Sequence, residues 1–241
     1  MAHKDSIPRR DFLKGAGVAG ASVAAAATGL AACSPEAKTS AATAAPAAGP
    51  ETWQILTQQE SAFFSATADT IIPKDDLSPS GTECGVPAFI DRQLASAWGG
   101  GDRMYRAGPF VKGTPEQGYQ LSLTPHQFFV SGVQAANEWC EKTYGKTFDR
   151  LEQAKRNEAL TAMQKGTAEF DGLDSKYFFT SLLTITMEGF FSDPIYGGNR
   201  NKASWRMLGF PGLPAIYADK VDEYRNKKYV VAEPQSIADF S

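Results

Sequence analysis

Hydrophobic residues recur at intervals of three and four along much of the chain, a spacing that places them on one face of an α-helix. The first such segment follows Thr57 and Glu60, which form a capping box, and it ends before Pro73. The later segments begin or end at similar helix-capping residues and glycines. The pattern predicts four further helices, over Val86–Trp98, Thr124–Tyr144, Asp149–Lys165 and Ser175–Phe191.

The fifth predicted helix is the most apolar, and such a helix lies at the centre of a fold or faces a partner. The fourth carries many charges and is expected to lie at the surface. Its expected buried residues are Leu151, Ala154, Leu160 and Met163. No long segment alternates between polar and apolar positions, so the predicted fold class is mainly α. We expect a single helical domain with long irregular loops over residues 53–241.

A charged segment followed by a mild apolar stretch opens the chain. The motif residues are Arg9, Arg10, Phe12, Leu13 and Lys14. They resemble the twin-arginine export motif, with Pro8 where serine is more usual. A transmembrane anchor is the alternative, but a stretch so rich in Ala and Gly gains little free energy in hydrocarbon. Residues 1–32 are therefore predicted to be a twin-arginine signal peptide, which directs the chain to the periplasmic face of a bacterial membrane.

The end of this apolar stretch, Leu30-Ala31-Ala32-Cys33, looks like a lipobox. Cys33 would then receive a diacylglycerol and become the mature N-terminus. The alternative is an ordinary signal-peptidase site that leaves Cys33 unmodified or removes it. The following residues up to Pro50 are almost entirely Ala, Pro, Thr, Ser and Gly, a composition typical of a flexible tether. Residues 33–52 are therefore predicted to be a lipidated cysteine and an Ala/Pro-rich tether.

The charge balance excludes a nucleic-acid function. The chain has 24 basic and 27 acidic residues, a net charge of -3, and loss of residues 1–32 removes four basic and two acidic residues, leaving -5. No strong positive field remains to attract nucleic acid. Three cysteines and two histidines cannot ligate two iron–sulfur clusters, and no C-x-x-C-H motif is present for covalent haem. Most of any redox chemistry is therefore expected on another chain.

Candidate catalytic residues are few. Asp69, Asp75 and Asp76 surround Pro73 and could form an acid–base pair or a cation site, although acidic residues after a helix are usually solvated. His126 lies in the first turn of a predicted helix, where a surface or capping role is more usual. No nucleophile-elbow, H-E-x-x-H or P-loop motif occurs. We predict neither a catalytic residue nor a metal site in this chain.

Two cysteines, Cys84 and Cys140, remain once Cys33 is lipidated. An oxidising compartment permits a disulfide between them. A disulfide and two free thiols are equal alternatives at this point.

Aromatic residues, glycines and an arginine are most concentrated between Gly189 and Gly212. Asp193-Pro194 predicts a turn, and Gly197-Gly198-Asn199 permits positive φ angles in a tight loop. Such a composition is typical of an interface core, and the alternative is a buried structural loop. The predicted partner-contact residues are Phe190, Phe191, Asp193, Tyr196, Asn199, Arg200 and Trp205.

Three segments together carry a resemblance to a known family. They are Leu56-Thr57 with the helix ending Asp69-Thr70-Ile71-Ile72-Pro73, the run Gly85–Asp91, and the run Gly189–Gly212. The chain thereby resembles the gluconate 2-dehydrogenase subunit 3 family. The resemblance implies a non-catalytic small subunit of a membrane-associated, FAD-dependent sugar, sugar-acid or polyol dehydrogenase.

In such complexes a large GMC-type flavoprotein oxidises the substrate. The resemblance places FAD, alone or with an iron–sulfur cluster, in that partner, and haem c in a multihaem cytochrome c where a third subunit is present. The small subunit supplies the twin-arginine signal, so that the translocase exports both chains, and the flavoprotein depends on it for maturation. The lipobox leaves an alternative open: a stand-alone lipoprotein, either a scaffold or binding protein or a metal-dependent enzyme that uses Asp69, Asp75 and Asp76.

Overall fold

The computed structural model describes residues 52–111, 113, 114, 117, 120–214 and 216–240. The predicted signal peptide, Cys33 and nearly all of the predicted tether lie outside these residues. The described residues form six α-helices and no strand, which confirms the mainly α fold class. The helices are α1 (Gln58–Ile71), α2 (Val86–Ala95), α3 (Pro125–Tyr144), α4 (Gln153–Lys165), α5 (Ser175–Phe191) and α6 (Ala203–Leu208). In this part of the chain, no helix combines the length and apolar character needed to span a bilayer.

Local capping sets most of the helix boundaries. In α1 the Thr57 hydroxyl accepts a hydrogen bond from the Glu60 backbone N–H, and the Glu60 carboxylate accepts one from the Thr57 N–H at 2.7 Å. The predicted capping box is therefore confirmed. Thr124 and Gln127 form an equivalent box at α3, and left-handed glycines at 145 and 166 end α3 and α4.

Two predicted boundaries are wrong. Helix α2 ends at Ala95 and not at Trp98, because the backbone of Ser96 is extended. Helix α4 begins at Gln153, because Phe148–Arg150 forms a separate 3₁₀ helix and Leu151 is extended. The later start turns Ala154 to solvent, and Ala159 is buried in α4 instead.

Helix α5 lies at the centre of the fold, as its apolar sequence allowed, and it contacts each of the other five α-helices. The buried Phe178 ring packs against the rings of Phe63, Phe128 and Phe129, with centroids 6.1 to 6.3 Å apart. Helix α3 approaches α5 closely only because residue 132 is glycine. A Cβ atom there would lie 2.1 Å from the Phe178 ring.

A buried carboxylate fixes the start of the helical body. Asp91 in α2 is 2% exposed. Its two carboxylate oxygens accept hydrogen bonds from the backbone N–H groups of Gln54, Ile55 and Leu56 at 2.7, 3.0 and 3.0 Å. Two of the segments that carry the family resemblance are therefore joined directly, at the point where the predicted tether enters the body.

Candidate functional site

The loop after α5 packs against the N-terminus of α2. The backbone N–H of Arg200 donates a hydrogen bond to the carbonyl oxygen of Cys84 at 2.9 Å. Gly85, the N-cap of α2, has a φ of 80°, and a Cβ atom there would lie 2.5 Å from the Gly197 carbonyl oxygen. Only glycine fits both the backbone conformation and the space. Two of the segments that carry the family resemblance, the runs Gly85–Asp91 and Gly189–Gly212, therefore pack against each other.

Asn199 organises this loop from within. Its side chain is fully buried, donates to the Ser192 carbonyl at 2.9 Å, and accepts from the backbone N–H and the hydroxyl of Ser204 at 3.0 and 2.8 Å. Three non-glycine residues in the loop have positive φ angles: Asn199, Asn201 and Lys202. Strained backbone of this kind persists only where the surrounding contacts fix it, and it is frequent at functional sites.

The aromatic residues of the predicted interface are mostly internal. Phe190 and Trp205 are buried, and the Trp205 indole N–H donates to the Phe191 carbonyl at 2.9 Å. Trp205 also packs edge to face on Phe210, with ring centroids 5.2 Å apart. Alanine at Phe190 or Trp205 would leave a cavity, because both side chains are buried. Buried Asn199 is likewise a structural residue here.

Asp193 joins the loop to the C-terminal segment. Its carboxylate accepts from the backbone N–H groups of Ile195 at 3.0 Å and Ile237 at 2.9 Å. Two ion pairs lie nearby, Lys202–Asp239 at 2.5 Å and Arg206–Glu233 at 2.8 Å.

The hydrogen bond from Lys202 is the largest influence on Asp239 and lowers the pKa of its carboxyl to about 2, so this pair is charged at neutral pH. The C-terminal segment is thus held against the loop after α5.

An exposed apolar patch results from this arrangement. The 3₁₀ helix Pro194–Tyr196 contacts the 3₁₀ helix Ile237–Phe240. We define the apolar patch as the four large apolar residues that these helices expose: Ile195 (43%), Tyr196 (49%), Ile237 (38%) and Phe240 (66%). Of the predicted contact residues, Tyr196 alone belongs to it, while Phe191, Asp193 and Arg200 are half-buried around it. Sequence reasoning missed Ile195, Ile237 and Phe240.

Two of the acidic residues near Pro73 bind groups of their own loop. The Asp69 carboxylate accepts hydrogen bonds from the backbone N–H and the hydroxyl of Thr82. The Asp75 carboxylate accepts from the N–H groups of Leu77 and Ser78 at 2.8 and 2.9 Å. Within the described residues, no three His, Cys, Asp or Glu side chains come together to hold a metal ion. Asp69 and Asp75 thus fix the loop between α1 and α2.

A cleft of about 700 Å³ lies between the start of α1 and the end of α3. Gln58, Glu141, Lys146 and Arg150 are among the residues that line it. None of the predicted site residues lines this cleft, and none of the residues of the apolar patch does.

Cys84 and Cys140 are both free, buried thiols, so the structure does not contain the candidate disulfide. Cys84 directly precedes the N-cap of α2, and its Sγ faces the Pro79 carbonyl at 3.7 Å. Cys140 lies in the last turns of α3 among core residues. Burial raises the pKa of Cys84 to about 11 and that of Cys140 to about 12.

We expect both thiols to resist alkylation in the folded protein. At pH 8 these pKa values leave a thiolate fraction on the order of one in a thousand or lower, and burial blocks access to the sulfur. In the mature chain with Cys33→Ser, iodoacetamide should add nothing before unfolding and two labels in guanidinium without reductant. Intact mass measures the count, and Cys84→Ser should reduce it to one. A denatured chain that takes label only after reduction would establish the disulfide.

Comparison with known proteins gives one match. No curated protein and no solved structure matches the chain. The family model described as gluconate 2-dehydrogenase subunit 3 matches residues 58–212, from the start of α1 into the loop after α6. The match includes the Gly85 and Asn199 contacts described above and stops before the C-terminal segment that completes the apolar patch. Because the matched residues make up more than half of the chain, the chain belongs to the gluconate 2-dehydrogenase subunit 3 family.

Proposed function

We propose that this chain is the non-catalytic small subunit of a periplasmic, membrane-associated dehydrogenase that oxidises a sugar, sugar acid or polyol with FAD. In this proposal the FAD lies in a large GMC-type flavoprotein, and a multihaem cytochrome c with haem c joins the complex where it is present. Residues 1–32 supply the twin-arginine signal for both chains, and lipidated Cys33 anchors the complex. The helical body binds the flavoprotein and supports its maturation.

The apolar patch is the observation that carries the docking part of this proposal. Family membership implies a larger dehydrogenase assembly, and a subunit needs a surface that the assembly covers. Tyr196 and Phe240 expose large aromatic side chains, the residue class that contributes most to binding at interfaces. The strained loop, the hydrogen bond to Asp193 and the ion pairs of Lys202 and Arg206 hold the two 3₁₀ helices in place. This limits the conformational entropy lost on docking.

Replacement of Tyr196 and Phe240 by serine is expected to release the flavoprotein. Both side chains are largely exposed, so the midpoint of thermal unfolding should change little. Loss of two aromatic contacts should weaken the complex by roughly thirtyfold or more. The measurement is the amount of flavin and flavoprotein that co-purifies with the tagged chain from detergent-solubilised membranes.

Leu77→Ser is the matched control, because Leu77 is 73% exposed in the loop after α1 and lies outside the patch. The control should retain the flavoprotein. If the double variant also retained it at the wild-type level, the patch would not be the docking surface. A tagged wild-type chain that brought down no flavin at all would favour the stand-alone lipoprotein.

A further inference from the structure

A second exposed surface, distinct from the apolar patch, lies in the connection between α2 and α3. All residues from Tyr105 to Val111 are exposed, and these two side chains are 85% and 67% exposed. Phe110 and Trp98 are also exposed large hydrophobic residues. We define the aromatic loop as residues 98–111. So many exposed apolar side chains in a short segment mark an interaction surface.

The base of the aromatic loop is fixed to the helical body. The His126 backbone N–H, at the start of α3, donates to the Gly99 carbonyl oxygen at 3.1 Å. Gly101 is buried near Thr124, the N-cap of α3. The exposed tip from residue 102 onward therefore projects from a defined position on the body.

Cations are interspersed with the apolar side chains of this loop. Arg103 and Arg106 flank Tyr105 and are exposed, and neither has an ion-pair partner among the described residues. The loop contains two basic residues and one acidic residue, whereas the mature chain carries a net charge of -5. The loop is thus a local basic segment on an acidic protein.

We propose that the aromatic loop binds the surface of an anionic lipid bilayer. Trp and Tyr side chains are enriched at the membrane–water interface, and arginines beside them attract acidic headgroups. The loop therefore combines the two features of a segment that binds an anionic bilayer surface, exposed aromatic side chains and cations.

The proposed lipid anchor adds to this argument, and on this point the inference rests on the proposed function. If residues 34–52 form the tether that their composition predicts, it reaches about 20 to 25 Å on average. An anchored body would therefore remain close to the bilayer, where its high effective concentration makes even a weak second contact effective. The proposed diacylglycerol at Cys33 holds the chain at the bilayer, and the basic, apolar loop adds a second contact, made by the helical body itself.

Vesicle flotation of the mature chain with Cys33→Ser tests the loop without the lipid. We expect this chain to float with vesicles of phosphatidylglycerol and phosphatidylethanolamine, not with phosphatidylcholine, and to dissociate as salt is raised. The variant Arg103→Gln/Arg106→Gln should lower the bound fraction on the order of tenfold. Tyr105→Ser/Val111→Ser should lower it similarly, and Leu77→Ser should leave it unchanged.

Equal flotation of the Cys33→Ser chain with the unchanged loop and with either set of loop substitutions would overturn the proposal. So would flotation that does not depend on anionic lipid. If the loop variants kept their lipid binding but lost the flavoprotein in a pull-down, the loop would belong to the protein interface. Lipidation at Cys33 is measured separately, by the intact mass of the membrane-extracted chain, so its failure is distinguishable from failure of the loop.

Discussion

Replacement of Arg9 and Arg10 by lysine is expected to leave both this chain and its flavoprotein partner in the cytoplasm. The charge of the segment is unchanged, but a lysine ammonium cannot reproduce the planar, forked set of donors of a guanidinium. A receptor that reads the arginine pair will therefore reject the variant. Because the flavoprotein is proposed to have no export signal of its own, it should stay in the cytoplasm together with this chain.

Cell fractionation measures this result. The periplasmic and membrane fractions should lose nearly all of the flavoprotein and its dye-linked dehydrogenase activity, while the cytoplasmic fraction gains the protein. Lys4→Gln is the control, because it removes a cation from the same segment outside the motif. If the flavoprotein still reached the periplasm while this chain did not, shared export would be excluded. If both chains were still exported, residues 1–32 would not act through the arginine pair.

The second large effect is expected at Asp91, where alanine should destabilise the helical body by about 3 kcal/mol. The substitution removes the acceptor of three backbone hydrogen bonds at the entry of the chain. Hydrogen bonds to a charged group are stronger than average, but the exposed backbone at Gln54 and Ile55 can regain water once released, which limits the loss. Denaturant unfolding of the mature chain measures the difference.

A matched series separates the cause. Asp91→Asn keeps the shape and one acceptor oxygen, so it should cost about 1 kcal/mol. Asp76→Ala, at an exposed position in the loop after α1, should change stability by no more than about 0.5 kcal/mol. Equal stability of Asp91→Ala and Asp76→Ala would mean that the entry segment is not held by this carboxylate.

The apolar patch lies only partly within the residues that match the family model. The match ends at residue 212, whereas half of the patch, Ile237 and Phe240, belongs to the C-terminal segment. If the patch contacts the flavoprotein, the family core supplies one side of the docking surface and the segment beyond it supplies the other. Partner choice can then differ between family members through the C-terminal segment without change in the helical core.

The sequence by itself determined the helices, because the signals that start and end them act over only a few residues. Thr57 and Glu60 bond to each other three positions apart, and the left-handed Gly145 ends α3 through a hydrogen bond to Glu141. The wrong predictions for Ala154 and for the end of α2 also have local causes. The 3₁₀ helix Phe148–Arg150 delays the start of α4, and the extended Ser96 ends α2 early. The central position of α5 was one of two alternatives that its apolar composition allowed.

Only the tertiary structure decided which residues of the Gly189–Gly212 run are exposed. Composition is the same whether an aromatic side chain packs inward or faces solvent. Trp205 is buried and donates its N–H to the Phe191 carbonyl, whereas Tyr196 is exposed on the 3₁₀ helix that contacts Ile237–Phe240. Asp193 and the N–H of Ile237 are 44 positions apart, and Asp91 is at least 35 positions from the amides it binds. Contacts over such separations leave no periodic signal in the chain, so packing alone brought these groups together.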